Sequence, residues 1–229
     1  MGRLITPGDI VEWDVTNWSV ALQYWKRNSV HKLALVKALE IGSRNGGLSL
    51  WLALGGARVL CTDLGAPAAK AIQKHRSFGV AHRIEYEALD ATDIPYVDRF
   101  DLVLFKSVLG GIGRSNRIDR QEKAIREIHK SLKKGGELWF AENLIGSPIH
   151  RFFRTRCIPW GKTWRYVSIE EMDRFLSVFA EVKYTTVGFL GAFGRNGQGQ
   201  ALLGSLDRLI VDRLVPAAWR YVAVGIARK

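Results

Sequence analysis

Apolar and polar positions alternate between two periods along the first 140 residues, and the switches mark the elements. The run Leu33 to Ala38 leans apolar and leads through Leu39-Glu40-Ile41 into Gly42-Ser43-Arg44-Asn45-Gly46-Gly47. Leu48 to Leu54 follows as a second apolar run. This reads as a strand, a glycine turn and a new helix. Gly55-Gly56 breaks the chain, and Ala57 to Asp63 is a short strand. A helix from Pro67 to about Arg76 ends at Gly79, and Ile84 to Leu89 alternates like a strand. Phe100 to Phe105 is almost continuously apolar, as a central parallel strand covered on both faces would be. Ile118 to Leu132 places Ala124, Ile125, Ile128 and Leu132 on one side of a surface helix. Lys133-Lys134-Gly135-Gly136 stops it before the strand Glu137 to Ala141. Strands alternating with helices predict an α/β, doubly wound, mostly parallel sheet in a single domain.

The two ends are less regular. Residues 1–32 carry Trp13, Trp18, Tyr24 and Trp25, and Trp18 to Lys26 suits a short amphipathic helix, so this segment is expected to form a helical lid before the glycine turn. The stretches 146–167 and 188–201 read as loops on the substrate side, the second punctuated by five glycines from Gly188 to Gly199. Between them, Ser168 and Glu171 form a capping box for a helix to about Phe179, and Glu181 to Val187 is β-like. Leu202 to Val215 is amphipathic, with Leu203, Leu206, Ile210 and Leu214 as a stripe. Core packing is the favoured reading of that stripe, and a membrane surface is the alternative. Trp219 to Ile226 is the closing strand.

Composition narrows the class. A chain of 229 residues with 47% hydrophobic residues can bury one sizeable core. No apolar run approaches the roughly 20 residues needed to cross a bilayer, and the opening residues form neither a secretory nor a convincing myristoylation signal. The expected location is the cytoplasm, with the inner face of the membrane as an alternative. Two cysteines, Cys61 and Cys157, show no zinc-like spacing, so neither a disulfide nor a metal is expected. The net charge of +12 raises the prior for anionic partners such as nucleic acid, lipid headgroups or sugar phosphates. Solubility alone would account for the same charge.

Candidate chemistry gathers at the carboxyl ends of the strands. Glu40 stands two residues before Gly42, Asp63 lies about 20 residues past the turn, and Asp90 follows the next strand in the same register. A carboxylate at Glu40 favours a cationic or hydroxyl-rich ligand over a pyrophosphate, and Arg44 occupies the place of the second glycine of the dinucleotide fingerprint. Asp63 can accept from ribose hydroxyls, or cap the following helix; Asp90 can serve a ligand or its own turn. Taken together, these features favour S-adenosylmethionine over NAD.

The succession Glu40-Ile41-Gly42-Ser43-Arg44-Asn45-Gly46, Asp63, Asp90-Ala91, Phe100 to Phe105, and Leu132 to Gly136 before a strand resembles the class I S-adenosylmethionine-dependent methyltransferases. That resemblance implies a seven-stranded sheet with an antiparallel last strand. It also implies that Glu40 with Gly42, Ser43, Arg44, Asn45 and Gly46 holds the methionine moiety of the cofactor, that Asp63 with Leu64 holds the ribose, and that Asp90 with Ala91 holds the adenine. Lys106 and Ser107 would then line the methyl-transfer end. Two positions depart from the family: Arg44 replaces the middle glycine, and Gly110-Gly111 stands where many relatives carry a histidine.

Methyl transfer from a sulfonium is an in-line displacement, so alignment is the main demand and a base helps when the acceptor is a hydroxyl. His150, then Glu142, are the candidate bases. Arg151, Arg154, Trp160, Trp164 and Arg165 form the candidate acceptor wall, suited to a flat or sugar-like group bearing phosphate or carboxylate. The expected activity is O-methylation of a small-molecule, glycan or lipid-linked acceptor. The alternatives are RNA methylation and a non-catalytic scaffold that keeps the cofactor.

Overall fold

The structure, a computed structural model, describes residues 4–157, 163–194 and 196–229. Its framework is one seven-stranded sheet of β1 (Lys37–Ile41), β2 (Arg58–Asp63), β3 (Ile84–Ala88), β4 (Phe100–Lys106), β5 (Leu132–Asn143), β6 (Glu181–Val187) and β7 (Val222–Arg228). The order is β3-β2-β1-β4-β5-β7-β6. The first five strands run parallel, and β7 runs antiparallel to both its neighbours. Parallel strands all end on one edge, so Ile41, Asp63, Ala88, Lys106 and Asn143 finish along the same side of the sheet.

Alternate residues of each strand supply two cores. Ala38, Val59, Leu102, Leu104 and Trp139 face one side, where they meet Trp18, Trp25 and Trp51. Leu39, Leu60, Val103, Phe105 and Phe140 face the other, against Ile125, Ile128 and Phe175. The first side is covered by α1 (Pro7–Val11), α2 (Val15–Trp18), α3 (Val20–Asn28) and α4 (Gly47–Leu54), so the tryptophan-rich amino-terminal segment is an integral layer. Beyond α4, the chain adds α5 (Ala69–Ser77), α6 (Leu109–Ile112) and α7 (Ile118–Ser131) between strands.

Three expectations change in the carboxyl-terminal third. Residues 146–167 are not irregular throughout, because Pro148 opens α8 (Pro148–Cys157), with the Ser147 carbonyl accepting from the Arg151 N–H at 3.2 Å. The stretch 188–201 is a loop only in its first part: Asn196 accepts from the Gly199 N–H at 2.8 Å and starts α10 (Gly197–Leu206), which follows α9 (Ile169–Leu176) and β6. The third change reverses the helix after Leu202. Gly204 and Asp207 face inward, a π-helical segment spans Asp207–Val211, and α11 (Asp212–Leu214) ends the run. Leu206, Ile210 and Leu214 are exposed. Asp207 is drawn in because it accepts from the N–H groups of Leu190 and Gly191 at 2.7 and 2.8 Å. The capping box of Ser168 and Glu171 forms as expected.

Two stability predictions follow from this packing. Trp139 is buried, stacks on Trp25 at 5.8 Å and donates to Glu137 at 2.9 Å, so Trp139→Ala should lower the urea-unfolding free energy by about 3–5 kcal/mol. The Glu137 carboxyl is held below its ordinary value, against the opposing effect of burial, by donors from Ser29, Trp139 and Arg228. A depressed carboxyl stabilises the fold above its unfolded value and loses that contribution as pH falls. Glu137→Gln should therefore cost about 1–3 kcal/mol at neutral pH, and the gap to wild type should shrink in unfolding titrations below about pH 4.

Candidate functional site

Where β1 gives way to α4 the chain makes a tight corner. Gly42 has φ +69°, and a Cβ there would stand 2.6 Å from Val108 Cγ2, so this position requires glycine. The Ser43 N–H donates to the Thr62 carbonyl at 2.8 Å, tying the corner to β2. Arg44 has φ +50°, a left-handed conformation that a glycine takes freely and that costs an arginine about 1–2 kcal/mol. Its backbone N–H donates to Asp63 Oδ2 at 2.9 Å, while its side chain turns outward to Glu12 at 3.6 Å. The arginine thus keeps the backbone shape of the glycine it replaces without filling the corner.

Three carboxylates stand at this edge in three different states. Glu40 is buried, and its Oε2 accepts the Ser49 N–H at 2.9 Å and the Ser49 hydroxyl. Burial pushes its carboxyl up to about 7. Asp63 is partly exposed and accepts from the N–H groups of Arg44 and Leu64. Asp90 closes its own turn by accepting from the Thr92 N–H and hydroxyl at 2.8 Å, and it pairs with Arg120 at 3.2 Å. Burial opposes ionisation there, but the Thr92 donors and Arg120 outweigh it and hold the carboxyl below its ordinary value. All three line one cavity of about 1500 Å³, together with Gly42, Ser43, Leu64, Ala91, Lys106 and Ser107. Asn45 and Gly46 are not on its wall. Gly46 instead caps α4 in a left-handed conformation.

The ends of β4 and β5 build the next wall. Lys106 projects over the rings of Trp18 at 4.7 Å and Trp13 at 5.9 Å, and burial lowers its ammonium to about 8. Ser107 has φ +56° and accepts from the Asn143 amide at 2.6 Å. Glu142 is fully buried and caps α6, accepting from the N–H groups of Val108 and Leu109 at 2.8 Å and from that of Asn143. Burial raises its carboxyl to about 7. His150 is also buried: its Nδ1 accepts from Ser147, and its Nε2 donates to the Phe189 carbonyl at 2.8 Å. Burial pushes this imidazole down, so it is neutral, with its lone pair already engaged. Both expected bases are thus tied into the scaffold around the cavity.

The expected acceptor wall divides. Arg154 and Trp164 line the cavity. Arg154 donates to the carbonyls of Leu144 and Ile145 and lies 3.9 Å over the ring of Tyr166. Trp164 packs where Gly110 has no side chain, since a Cβ there would meet its Nε1 at 1.8 Å. The glycine pair at the family's histidine position therefore makes room for a tryptophan. Arg165 points away into Gln121 and Glu171, and Arg151 is exposed outside the cavity. Trp160 lies outside the described residues. Arg114, 5.8 Å from the Trp164 ring, and Tyr221 also line the cavity. Their positions follow from long-range packing and leave no short-range signal in the sequence.

These residues fit S-adenosylmethionine. Asp63 is a partly exposed carboxylate at the end of β2, suited to a diol, and Leu64, Leu89, Ala91 and Ile112 offer an apolar slot beside Asp90.

Residues 39–140 match a methyltransferase-domain family. No curated protein matches the chain. Among solved structures, a SAM-dependent methyltransferase from Thermotoga maritima is 18% identical with a TM-score of 0.63, over 94% of this chain and 91% of that one. Another from Methanosarcina mazei is 20% identical with a TM-score of 0.61, over 89% and 96%. The [4+2]-cyclase SpnF is 19% identical with a TM-score of 0.63, over 92% and 80%. At such identities the likeness is one of fold, and one fold can carry different reactions. What narrows the choice is the methyltransferase domain at residues 39–140, which spans the glycine corner and the carboxylates facing the cavity; in that domain and in its sheet order the chain is similar to the class I S-adenosylmethionine-dependent methyltransferases.

Proposed function

We propose that the protein O-methylates a small-molecule, glycan or lipid-linked acceptor that bears a phosphate or carboxylate. The observation that carries this reading is the division of charge around the cavity. Its acidic lining residues, Glu12, Glu40, Asp63 and Asp90, all come from the first 90 residues. Arg44 is the basic lining residue among those first 90, while from Lys106 onward the described lining contains no acid; Arg120 pairs with Asp90, and Lys106, Arg114, Arg117 and Arg154 supply positive charge on the side of Trp164 and Tyr166. The acidic half suits a cofactor carrying sulfonium and ammonium charges, and the basic aromatic half suits an anionic acceptor. A phosphate-bearing acceptor also accords with a solved neighbour, a phosphoethanolamine N-methyltransferase from Haemonchus contortus with phosphomonomethylethanolamine bound. It is 17% identical with a TM-score of 0.64, over 93% of this chain and 52% of that one.

Bound S-adenosylmethionine supplies an activated methyl group whose leaving group needs no protonation. The protein then has to orient an acceptor oxygen and remove its proton. Glu142 and His150 act by shaping the site: the first fixes the turn carrying Val108 and Leu109, and the second holds the wall at Phe189. Proton removal falls to Lys106, whose ammonium is lowered toward neutrality and which lies on the cavity wall between the acidic and basic halves. Asp63 with Leu64 holds the ribose, Asp90 with Ala91 flanks the adenine, and Gly42 to Gly46 shape the methionine end.

Two tests follow. Asp63→Ala should weaken cofactor binding in calorimetry by about 10- to 100-fold, or roughly 1.4–2.7 kcal/mol, with the circular dichroism spectrum unchanged. Unchanged binding would remove Asp63 from the cofactor site. Wild-type enzyme incubated with labelled S-adenosylmethionine and a glycolipid, metabolite or RNA extract should add one methyl group to an anionic glycan, lipid or small molecule. On that acceptor the rate should rise with pH through about 8 and level off, since only the neutral amine accepts a proton, and Lys106→Met should remove this rise. Methylation confined to RNA would overturn the acceptor class, and an unchanged pH profile would overturn the role of Lys106.

A further inference from the structure

We infer that the outward face of the helical run 197–214 is a docking surface for an anionic lipid bilayer. Leu202, Leu209, Ile210 and Leu214 are 66%, 67%, 55% and 77% exposed, and Leu206 adds to the same stripe. Positions 202, 206, 209, 210 and 214 recur at helical spacing, so these side chains form one apolar band along the helix. A band of this size left in water marks a binding surface.

The charges around the band indicate the partner. The run holds two acids, and both turn into the protein: Asp207 is fully buried, and Asp212 accepts from the Gly188 N–H at 2.9 Å. Its two arginines, Arg208 and Arg213, are both exposed. The outward face therefore presents leucine, isoleucine and arginine; the half-buried Asp212 lies beside Arg208, and Arg213 adds a second exposed positive charge. Nearby, α8 repeats the composition, with Ile149, Phe152, Arg151 and Arg156 exposed and no acid anywhere in the sequence from Leu144 to Ile169. A second copy of the chain would bring the same arginines against these and repel them, and the chain as a whole carries +12. A bilayer with anionic headgroups satisfies both halves at once, taking the apolar band into its interface and pairing the arginines with phosphates.

The position of this surface gives it a use. The two elements that carry it also wall the cavity, with Phe153 and Arg154 from α8 and Gln200 from α10, and Phe153 packs at 5.4 Å on Phe193, in the turn Gly191–Phe193 that precedes α10. Docking there would present the basic half of the cavity to the headgroup layer, and the resulting choice of a bilayer-borne acceptor rests on the methyltransferase reading above. The docking itself does not.

Sedimentation with vesicles tests the inference. Wild-type protein should pellet with vesicles containing one third phosphatidylglycerol at least ten-fold more than with phosphatidylcholine alone. Leu209→Asp with Ile210→Asp should abolish pelleting while melting temperature and cofactor heat in calorimetry stay unchanged. Arg208→Gln with Arg213→Gln should reduce it and make the remainder less sensitive to salt. Equal pelleting of the aspartate variant, no wild-type pelleting, or a wild-type dimer that the variant dissociates would each overturn the bilayer as occupant. Loss of cofactor heat with pelleting retained would sink the methyltransferase reading and leave the docking intact.

Discussion

A buried carboxyl group inside the glycine corner is the contact on which the rest of this structure depends. Glu40 is the penultimate residue of β1, with its Oε2 accepting from the backbone N–H and hydroxyl of Ser49 in the first turn of α4. It thereby fixes how strand and helix meet. The Thr62 hydroxyl donates to the Glu40 carbonyl at 2.7 Å, so the same residue holds β2 in register. Leaving such a group without donors would cost several kcal/mol, and its carboxyl, pushed up to about 7 by burial, reports that desolvation. With the corner fixed, Arg44 is held in its left-handed conformation and Asp63 is oriented by two backbone donors. The geometry of this edge of the cavity follows from a structural bond.

A second buried network fixes the opposite wall. Tyr221 donates to Asp14, and Asn17 donates to Tyr221 at 2.8 Å and to Asp207 at 3.1 Å. These residues belong to the amino-terminal helices, to the approach to β7 and to the helix after the glycine-rich loop. Burial lifts the Asp14 carboxyl to about 7, which the Tyr221 and Asn17 donors partly offset. The network joins the first and last parts of the chain across the cavity, with Trp13 from one and Tyr221 and Gln200 from the other on its wall. It also explains the outward apolar stripe, because Asp207 takes the inward position that a leucine would otherwise fill.

Much of the sheet is legible in the sequence because its signals are local. Glycine turns, a continuous apolar strand at Phe100 to Phe105, and acids just past strand ends report backbone geometry within a few residues. Asp63 and Lys106 fall on the cavity for that reason. The occupied states of His150 and Glu142 are not legible, since their partners at Phe189 and Val108 lie 39 and 34 residues away. Arg165 misleads for the same reason: an arginine in an aromatic loop resembles an anion ligand until Glu171 and Gln121 claim it. The helix 202–214 defeats the periodicity rule itself. Amphipathic spacing identifies an apolar face but does not state which way that face turns, and here a polar network decides the direction.

The central claim is that the corner, the end of β2, the turn after β3 and the end of β4 form one cofactor site along the carboxyl edge of the sheet. Hydrogen–deuterium exchange with and without S-adenosylhomocysteine tests it most directly, because it reads every segment in one experiment. The account predicts slower exchange in peptides covering 40–49, 63–64, 89–92 and 106–109, with little change in β6 or α9. Protection confined to other segments, or none at ligand concentrations that saturate calorimetric binding, would contradict it.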